Sequence, residues 1–122
     1  MTQRSKNKSN FKKGSVEMLL LHLLKTEGDC YGYQLSQLIN QRSGGVLVIP
    51  EGSMYPTLYK LIDNSYITDY KKTVGKRMTR VYYHLEPAAE AYLMEQKEEY
   101  RRTAVGVQNV LKSCEVQHEK EA

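Results

Sequence analysis

The spacing of apolar residues changes twice along this chain, and those changes constrain its fold more than any other feature. Up to Asn64 the apolar positions recur about every 3.6 residues, the period of a helix. From Tyr66 to Leu85 they alternate, and after Pro87 the helical period returns. A two-stranded hairpin set between helices, in 122 residues, fits one small domain plus an additional helix.

Before the first change the sequence predicts three helices. Ser15 is placed to cap the first, with Glu17 in its positive first turn. Val16, Leu19, Leu20, Leu23 and Leu24 form its stripe, and Met18, Leu21 and His22 add apolar surface on a second side. A helix apolar on two sides is expected to pack on its own domain and on a partner subunit. Tyr31–Asn40 reads as a second helix with Leu35, Leu38 and Ile39 inward. Gly32 weakens that helix, which predicts close approach of another one. Gly44-Gly45 ends it, and Val46–Ile49 is a short β-prone run ahead of Pro50.

The third helix, Glu51–Asn64, divides into two faces. Ser53 is placed to cap it and Pro56 to lie in its first turn, where a missing amide costs nothing. Met54, Leu58, Leu61 and Ile62 make the apolar stripe. The other side carries Ser53, Tyr55, Pro56, Thr57, Tyr59 and Lys60, with no carboxylate until Asp63. Such a face suits a DNA groove, although any amphipathic helix has a wet side; the neighbouring segments shift the balance. Two helices joined by a short connection, the second with a polar outer face, outline a helix-turn-helix.

The hairpin adds the cations. Tyr66–Lys72 and Arg80–Leu85 are its strands, joined through Val74-Gly75-Lys76-Arg77. Val81, Tyr83 and Leu85 alternate onto one face, and Tyr82 and His84 share the other. Lys71, Lys72, Lys76, Arg77 and Arg80 gather toward the tip against one acid, Asp69. A cationic tip of this kind can neutralise phosphates, a contribution that depends on salt and not on sequence.

The remaining segments frame this unit. Pro87 suits the first turn of a helix running to about Ser113. In it Leu93, Tyr100, Val107 and Cys114 repeat every seven residues, and Ala104 and Leu111 follow Tyr100 and Val107 by four. That seam, interrupted by Lys97, predicts a dimerisation helix that pairs with the first helix around Leu20. The expected division is a basic flexible arm over 1–14, a winged helix-turn-helix over 15–86, the dimerisation helix over 87–113 and a polar tail over 114–122. The fold class is mainly α with a small β-hairpin.

Several functions are disfavoured. No apolar run approaches the ~20 residues that span a bilayer, and the N-terminus is polar and basic. Cys30 and Cys114 stand alone and far apart, as reduced thiols of a cytoplasmic protein would. There is no Gly-rich phosphate loop, no nucleophile beside a histidine and no metal-ligand spacing; His22 has no second ligand near it. No enzymatic activity, metal or cofactor is expected.

Tyr31-Gly32-Tyr33-Gln34-Leu35, the string from Gly52 to Leu61, and Gly75-Lys76-Arg77 followed by Val81-Tyr82-Tyr83-His84-Leu85 together resemble the PadR family of bacterial transcriptional regulators. The resemblance covers about residues 15–112, and Ser-x-Tyr-Pro-x-Leu-x-x-Leu is its most specific part. Met78, Thr79 and Val81 depart from the family's usual Arg-Lys-Tyr-Tyr wing, and the chain has no Trp. The resemblance implies a repressor that leaves its operator when an effector, often a small aromatic compound, binds. It also implies a homodimer formed through the last and first helices.

The expected DNA-binding residues are Tyr33, Ser53, Tyr55, Pro56, Thr57, Tyr59, Lys60, Lys72, Lys76, Arg77 and Arg80. Thr57 and Lys60, both pointing away from the Met54/Leu58/Leu61 stripe, are the expected readers of base edges. Leu20, Leu93, Tyr100, Ala104, Val107 and Leu111 are placed at the dimer interface, and Tyr92 and Tyr100 beside an effector. The alternative is a winged-helix module that binds another protein and not specific DNA. Loss of binding with salt separates the two.

Overall fold

Leucines hold this chain together. Leu20, Leu21, Leu35, Leu58, Leu61 and Leu93 are essentially without exposed surface, and Met54 and Ile67 complete the centre. They come from all parts of the fold. The computed structural model describes the backbone of residues 2–121 and, within it, the side chains of residues 15–113. Its elements are α1 (Thr2–Glu27), β1 (Cys30–Tyr31), α2 (Gly32–Arg42), α3 (Glu51–Asp63), β2 (Ile67–Val74), β3 (Met78–Leu85) and α4 (Ala89–Glu121). No described helix is long and apolar enough to cross a membrane.

α1 starts well before Ser15, so Ser15 lies within the helix and does not cap it. Glu17 therefore sits in the body of the helix and is buried, at 4% exposure. Where a basic flexible arm is expected over 1–14, the backbone from Thr2 continues α1, and the side chains there lie outside the described residues. α2 begins at Gly32, a residue later than its sequence pattern suggests, because Tyr31 is claimed by a strand. That strand, β1, pairs antiparallel with β3, Cys30 opposite Tyr83 and Tyr31 opposite Tyr82. The predicted hairpin is thus part of a three-stranded sheet in the order β1-β3-β2.

Val46–Ile49 is not a strand. Among the described residues it has no partner strand, and side chains of α2 and its C-cap bond its backbone instead. Ser36 Oγ donates to the Ile49 carbonyl (2.7 Å), Asn40 Nδ2 to that of Leu47 (3.2 Å), and the Leu47 amide donates to Ser43 Oγ (2.9 Å).

α3 is capped by Pro50 and starts at Glu51, so Ser53 is its third residue and not its cap. Pro56 falls in the second turn, where it deprives the Gly52 carbonyl of a helical donor. Gly52 itself is exposed. The close approach expected at Gly32 is real: a Cβ there would stand 3.1 Å from Glu51 Oε2 and 3.4 Å from the Tyr55 hydroxyl.

α3 ends in a tight turn that launches the wing. The Ser65 amide donates to the Ile62 carbonyl (2.9 Å) and the Tyr66 amide to that of Leu61 (3.0 Å). Ser65 takes φ +63°, the left-handed geometry such a turn needs and glycine usually supplies. Three residues, Gly75-Lys76-Arg77, then separate the paired Val74 and Met78 at the wing tip, with Gly75 at φ +68°.

α4 runs on beyond Ser113 to Glu121, and its start alone belongs to the core: Ala89 and Leu93 are buried, while every described residue from 97 to 113 is exposed.

Candidate nucleic-acid interface

The burial pattern of α3 decides which residues it offers. Met54, Thr57, Leu58 and Leu61 are its buried residues, one stripe at i, i+3, i+4 and i+7. Thr57, at 8% exposure, is part of that stripe and cannot read a base edge. The expectation for it fails because position i+3 lies on the same face as the stripe. Directly opposite lie Gly52, Pro56, Tyr59 and Asp63, with Ser53 and Lys60 on one flank and Tyr55 on the other.

Tyr59 is 58% exposed and stacks on Tyr55, ring centroids 6.2 Å apart. Tyr55 is half-buried and donates to Glu51 Oε2 at 2.6 Å. That bond, with some burial, pushes its hydroxyl up to about 12, so it remains a neutral donor. Lys60 has an exposed side chain, but its ammonium turns toward α1, 3.3 Å from the carboxylate of Glu17. Tyr33, on α2, is exposed, and its hydroxyl accepts from Gln37 Nε2 at 3.0 Å.

The wing has a solvent face that the sequence pattern resolves only in part. Tyr70 pairs with Tyr82, and Tyr82 with Tyr31, placing three rings across the three strands. Tyr82 stacks on Tyr70 (5.7 Å, 15°) and meets Tyr31 edge-on (5.5 Å, 70°). Two cations lie on this aromatic floor: Lys72 Nζ 5.4 Å from the Tyr82 centroid and the Arg80 guanidinium 4.3 Å from that of Tyr31. Tyr70 and Lys72 on β2 alternate in step with Arg80 and Tyr82 on β3; β1, two residues long, carries no periodic signal. Lys76 and Arg77 are exposed at the tip. Among the described residues no ion pair engages Lys72, Lys76, Arg77 or Arg80, which leaves all four charges available to phosphate.

Asp29, between α1 and β1, braces the base of the wing. The Tyr70 hydroxyl donates to its Oδ2 (2.7 Å), and His84 Nδ1 stands 2.8 Å from its Oδ1. The bond to Asp29 raises the pKa of His84 above 6.5 against a small loss from desolvation, and Glu86 adds to the rise. Desolvation works to raise Asp29, but its bonds from His84 and Tyr70 outweigh it and hold the carboxyl below its ordinary range. The charged brace is therefore complete between pH ~4 and ~6.5; it is lost as pH rises through the raised value of His84 or falls through the lowered value of Asp29. In an NMR titration Asp29→Asn should return the His84 midpoint toward ~6.5. An unchanged midpoint would mean that the brace does not form in solution.

Two of the expected interface residues serve the core instead. Leu20 is fully buried and Leu93 is 1% exposed, so neither has surface left for a partner. Tyr100, Ala104, Val107 and Leu111 are all exposed. The rings placed beside an effector also part company. Tyr92 stacks on Tyr66 at 4.2 Å and 7°, and its hydroxyl donates to Glu17 Oε1 at 2.5 Å, so it is a partly buried residue packed against the core. Burial, then that bond, pushes its hydroxyl pKa up. Tyr100 is half exposed, eight residues further along α4.

A helix-turn-helix with an open polar face on its second helix, followed by a cationic wing, defines the winged-helix DNA-binding fold. The chain belongs to the PadR-like family of transcriptional regulators, whose model matches residues 20–95, and is a regulator and not an enzyme. An uncharacterized protein from Lysinibacillus sphaericus is 30% identical over 93 residues, 76% of this chain and 84% of its own. A transcriptional regulator from Clostridium thermocellum is 32% identical with a TM-score of 0.72, covering 83% of this chain and 94% of that one. A PadR family regulator from Clostridium difficile is 25% identical with a TM-score of 0.64, over 79% and 97% of the two chains. Bacillus subtilis PadR, solved in complex with operator DNA, shares the fold at 23% identity and a TM-score of 0.60, over 66% of this chain and 45% of that one.

Proposed function

We propose that this chain is a homodimeric repressor that reads a pseudo-palindromic operator, with α3 of each subunit in a major groove and the wing on the flanking backbone. The observation that carries the reading is the open line Gly52, Pro56 and Tyr59 on α3, flanked by Ser53 and Lys60, beside a wing whose four cations have no ion-pair partner among the described residues. The fold shared with Bacillus subtilis PadR, whose structure holds operator DNA, supports it. Lys60 is the residue proposed to reach a base edge, its flexible stem letting the ammonium leave α1. Ser53 and Tyr55 meet phosphate, as do Lys76 and Arg77. The exposed Tyr100, Ala104, Val107 and Leu111 of α4 form the subunit seam with the half-buried side of α1, Met18, Leu19 and His22. A two-fold dimer then sets half-sites about 34 Å, or ~10 base pairs, apart. Release by a small aromatic effector is the family's mode; of Tyr92 and Tyr100, the latter is the one free to meet such a ligand at the seam.

Titration of a duplex selected from a random pool, and of a scrambled duplex of equal composition, tests this across salt concentrations. Lys76→Ala and Arg77→Ala should weaken both duplexes alike and lower the slope of log K against log salt by ~1 for each phosphate no longer neutralised. Lys60→Ala should cost about 1–3 kcal/mol on the selected duplex and little on the scrambled one. Equal losses on both would make α3 a phosphate clamp. Binding to neither duplex, or binding indifferent to salt, would favour a protein-interaction module.

A further inference from the structure

A buried carboxylate joins the reading helix to the long C-terminal helix. Glu17 projects from α1 into the junction of α3 and α4 and is 4% exposed. Its Oε1 accepts from Tyr92 (2.5 Å) and from Gln96 Nε2 (3.2 Å), both on α4, and its Oε2 lies 3.3 Å from the ammonium of Lys60 on α3. Gln96 Oε1 is buried without a partner, so the bond to Glu17 is the one anchor of that amide among the described residues. Lys60 is the one cation paired with Glu17 among the described residues. The other two donors are neutral. An anion out of water needs its counter-charge or strong hydrogen bonds, so the three partners share one task.

We propose that Glu17 is the positioning residue that couples α4 to the DNA-reading helix, by setting how readily Lys60 leaves the protein for a duplex. The inference rests on the reading of Lys60 given above. When Lys60 turns to a duplex, Glu17 keeps only Tyr92 and Gln96, and the transfer is opposed by whatever charge these two fail to stabilise. Any event that pulls α4 away from Glu17 removes donors, draws Lys60 back and loosens the duplex. Any event that seats α4 more firmly does the reverse. The state of a helix carrying the proposed subunit seam thus reaches α3 through one side chain.

Two nearly isosteric variants have opposite predicted signs. Glu17→Gln keeps an acceptor for Tyr92 and removes the charge that retains Lys60. It should bind the selected duplex more tightly, by roughly tenfold, the size of one charge-assisted hydrogen bond. On the scrambled duplex it should steepen the log K against log salt slope by about 0.9, because the freed ammonium reaches a phosphate. Tyr92→Phe keeps the ring stack on Tyr66 but removes a donor, and should weaken binding of the selected duplex several-fold. Both effects should vanish when each variant is combined with Lys60→Ala in a double-mutant cycle. Should Glu17→Gln fail to fold, as judged by circular dichroism, the Tyr92→Phe cycle decides alone. Effects of one sign, or effects that persist without Lys60, would leave Glu17 as a structural residue and overturn the coupling while the reading of Lys60 stands. If Lys60→Ala itself leaves the selected duplex unaffected, that reading falls and the coupling with it.

Discussion

Leu58→Ala should destabilise the chain by roughly 2–5 kcal/mol, the cost of a buried leucine removed together with the cavity it leaves. Leu58 is fully buried in the middle of α3, among residues of α1, α2 and the sheet. Small domains are stable by only about 5–15 kcal/mol, so a loss of this size is a large fraction of the whole. Chemical denaturation should show the midpoint moving with little change in slope. Tyr59→Ala, one residue further along and 58% exposed, should stay within about 0.5 kcal/mol of the parent chain and act on duplex binding instead. If Tyr59→Ala were as destabilising as Leu58→Ala, the division of α3 into a seated and an offered face would be wrong.

Leu111→Asp should dissociate the proposed dimer while leaving the fold of the single chain intact. α4 has 33 residues, about 50 Å at ~1.5 Å per residue, and its described part leaves the body of the domain after Gln96. Tyr100, Val107, Val110 and Leu111 are each half exposed or more along that extension and lie on one side of the helix, an apolar patch of the kind that marks an association surface. Leu111 is itself 54% exposed, so a charge placed there costs the isolated chain little. Within a closed seam the same carboxylate would be buried without a partner, at a cost of several kcal/mol. Sedimentation equilibrium at micromolar concentration should show dimer giving way to monomer, with the helical circular dichroism signal retained. A variant that remains dimeric would place the seam elsewhere, and a parent chain that is monomeric even on DNA would remove it.

What can be read in the sequence is whatever rests on repetition. The stripe of α3, the alternation of Val81, Tyr83 and Leu85, and the change of period between them locate the helix-turn-helix and the wing. Features set by single residues are harder to see. Thr57 reads as polar, yet its place between Met54 and Leu61 turns it inward. Pro56 reads as a first-turn proline because Ser53 is so good a cap; Pro50, with its fixed φ, starts the helix three residues earlier. β1 is too short to carry a period and exists because Tyr82 and Tyr83 lie alongside it. Glu17 has an adequate local explanation as a helix-start acid. Its burial comes from Lys60, Tyr92 and Gln96, dozens of residues away, and no local spacing encodes that. Leu20 and Leu93 belong to stripes with room for both a core and a partner, and only the packed fold shows the core taking them.

The strained turn at Ser65 has a further consequence when considered with β1. One end of the wing leaves α3 through a left-handed residue, and β1 ties its other strand to Tyr31, the residue that caps α2. The wing and α3 are therefore the two jaws of a fixed calliper. On the proposed reading, a duplex that suits α3 must also present its backbone at the distance of Lys76 and Arg77. A calliper measures width, so base pairs touched by neither jaw would still be sampled through the groove dimensions they impose.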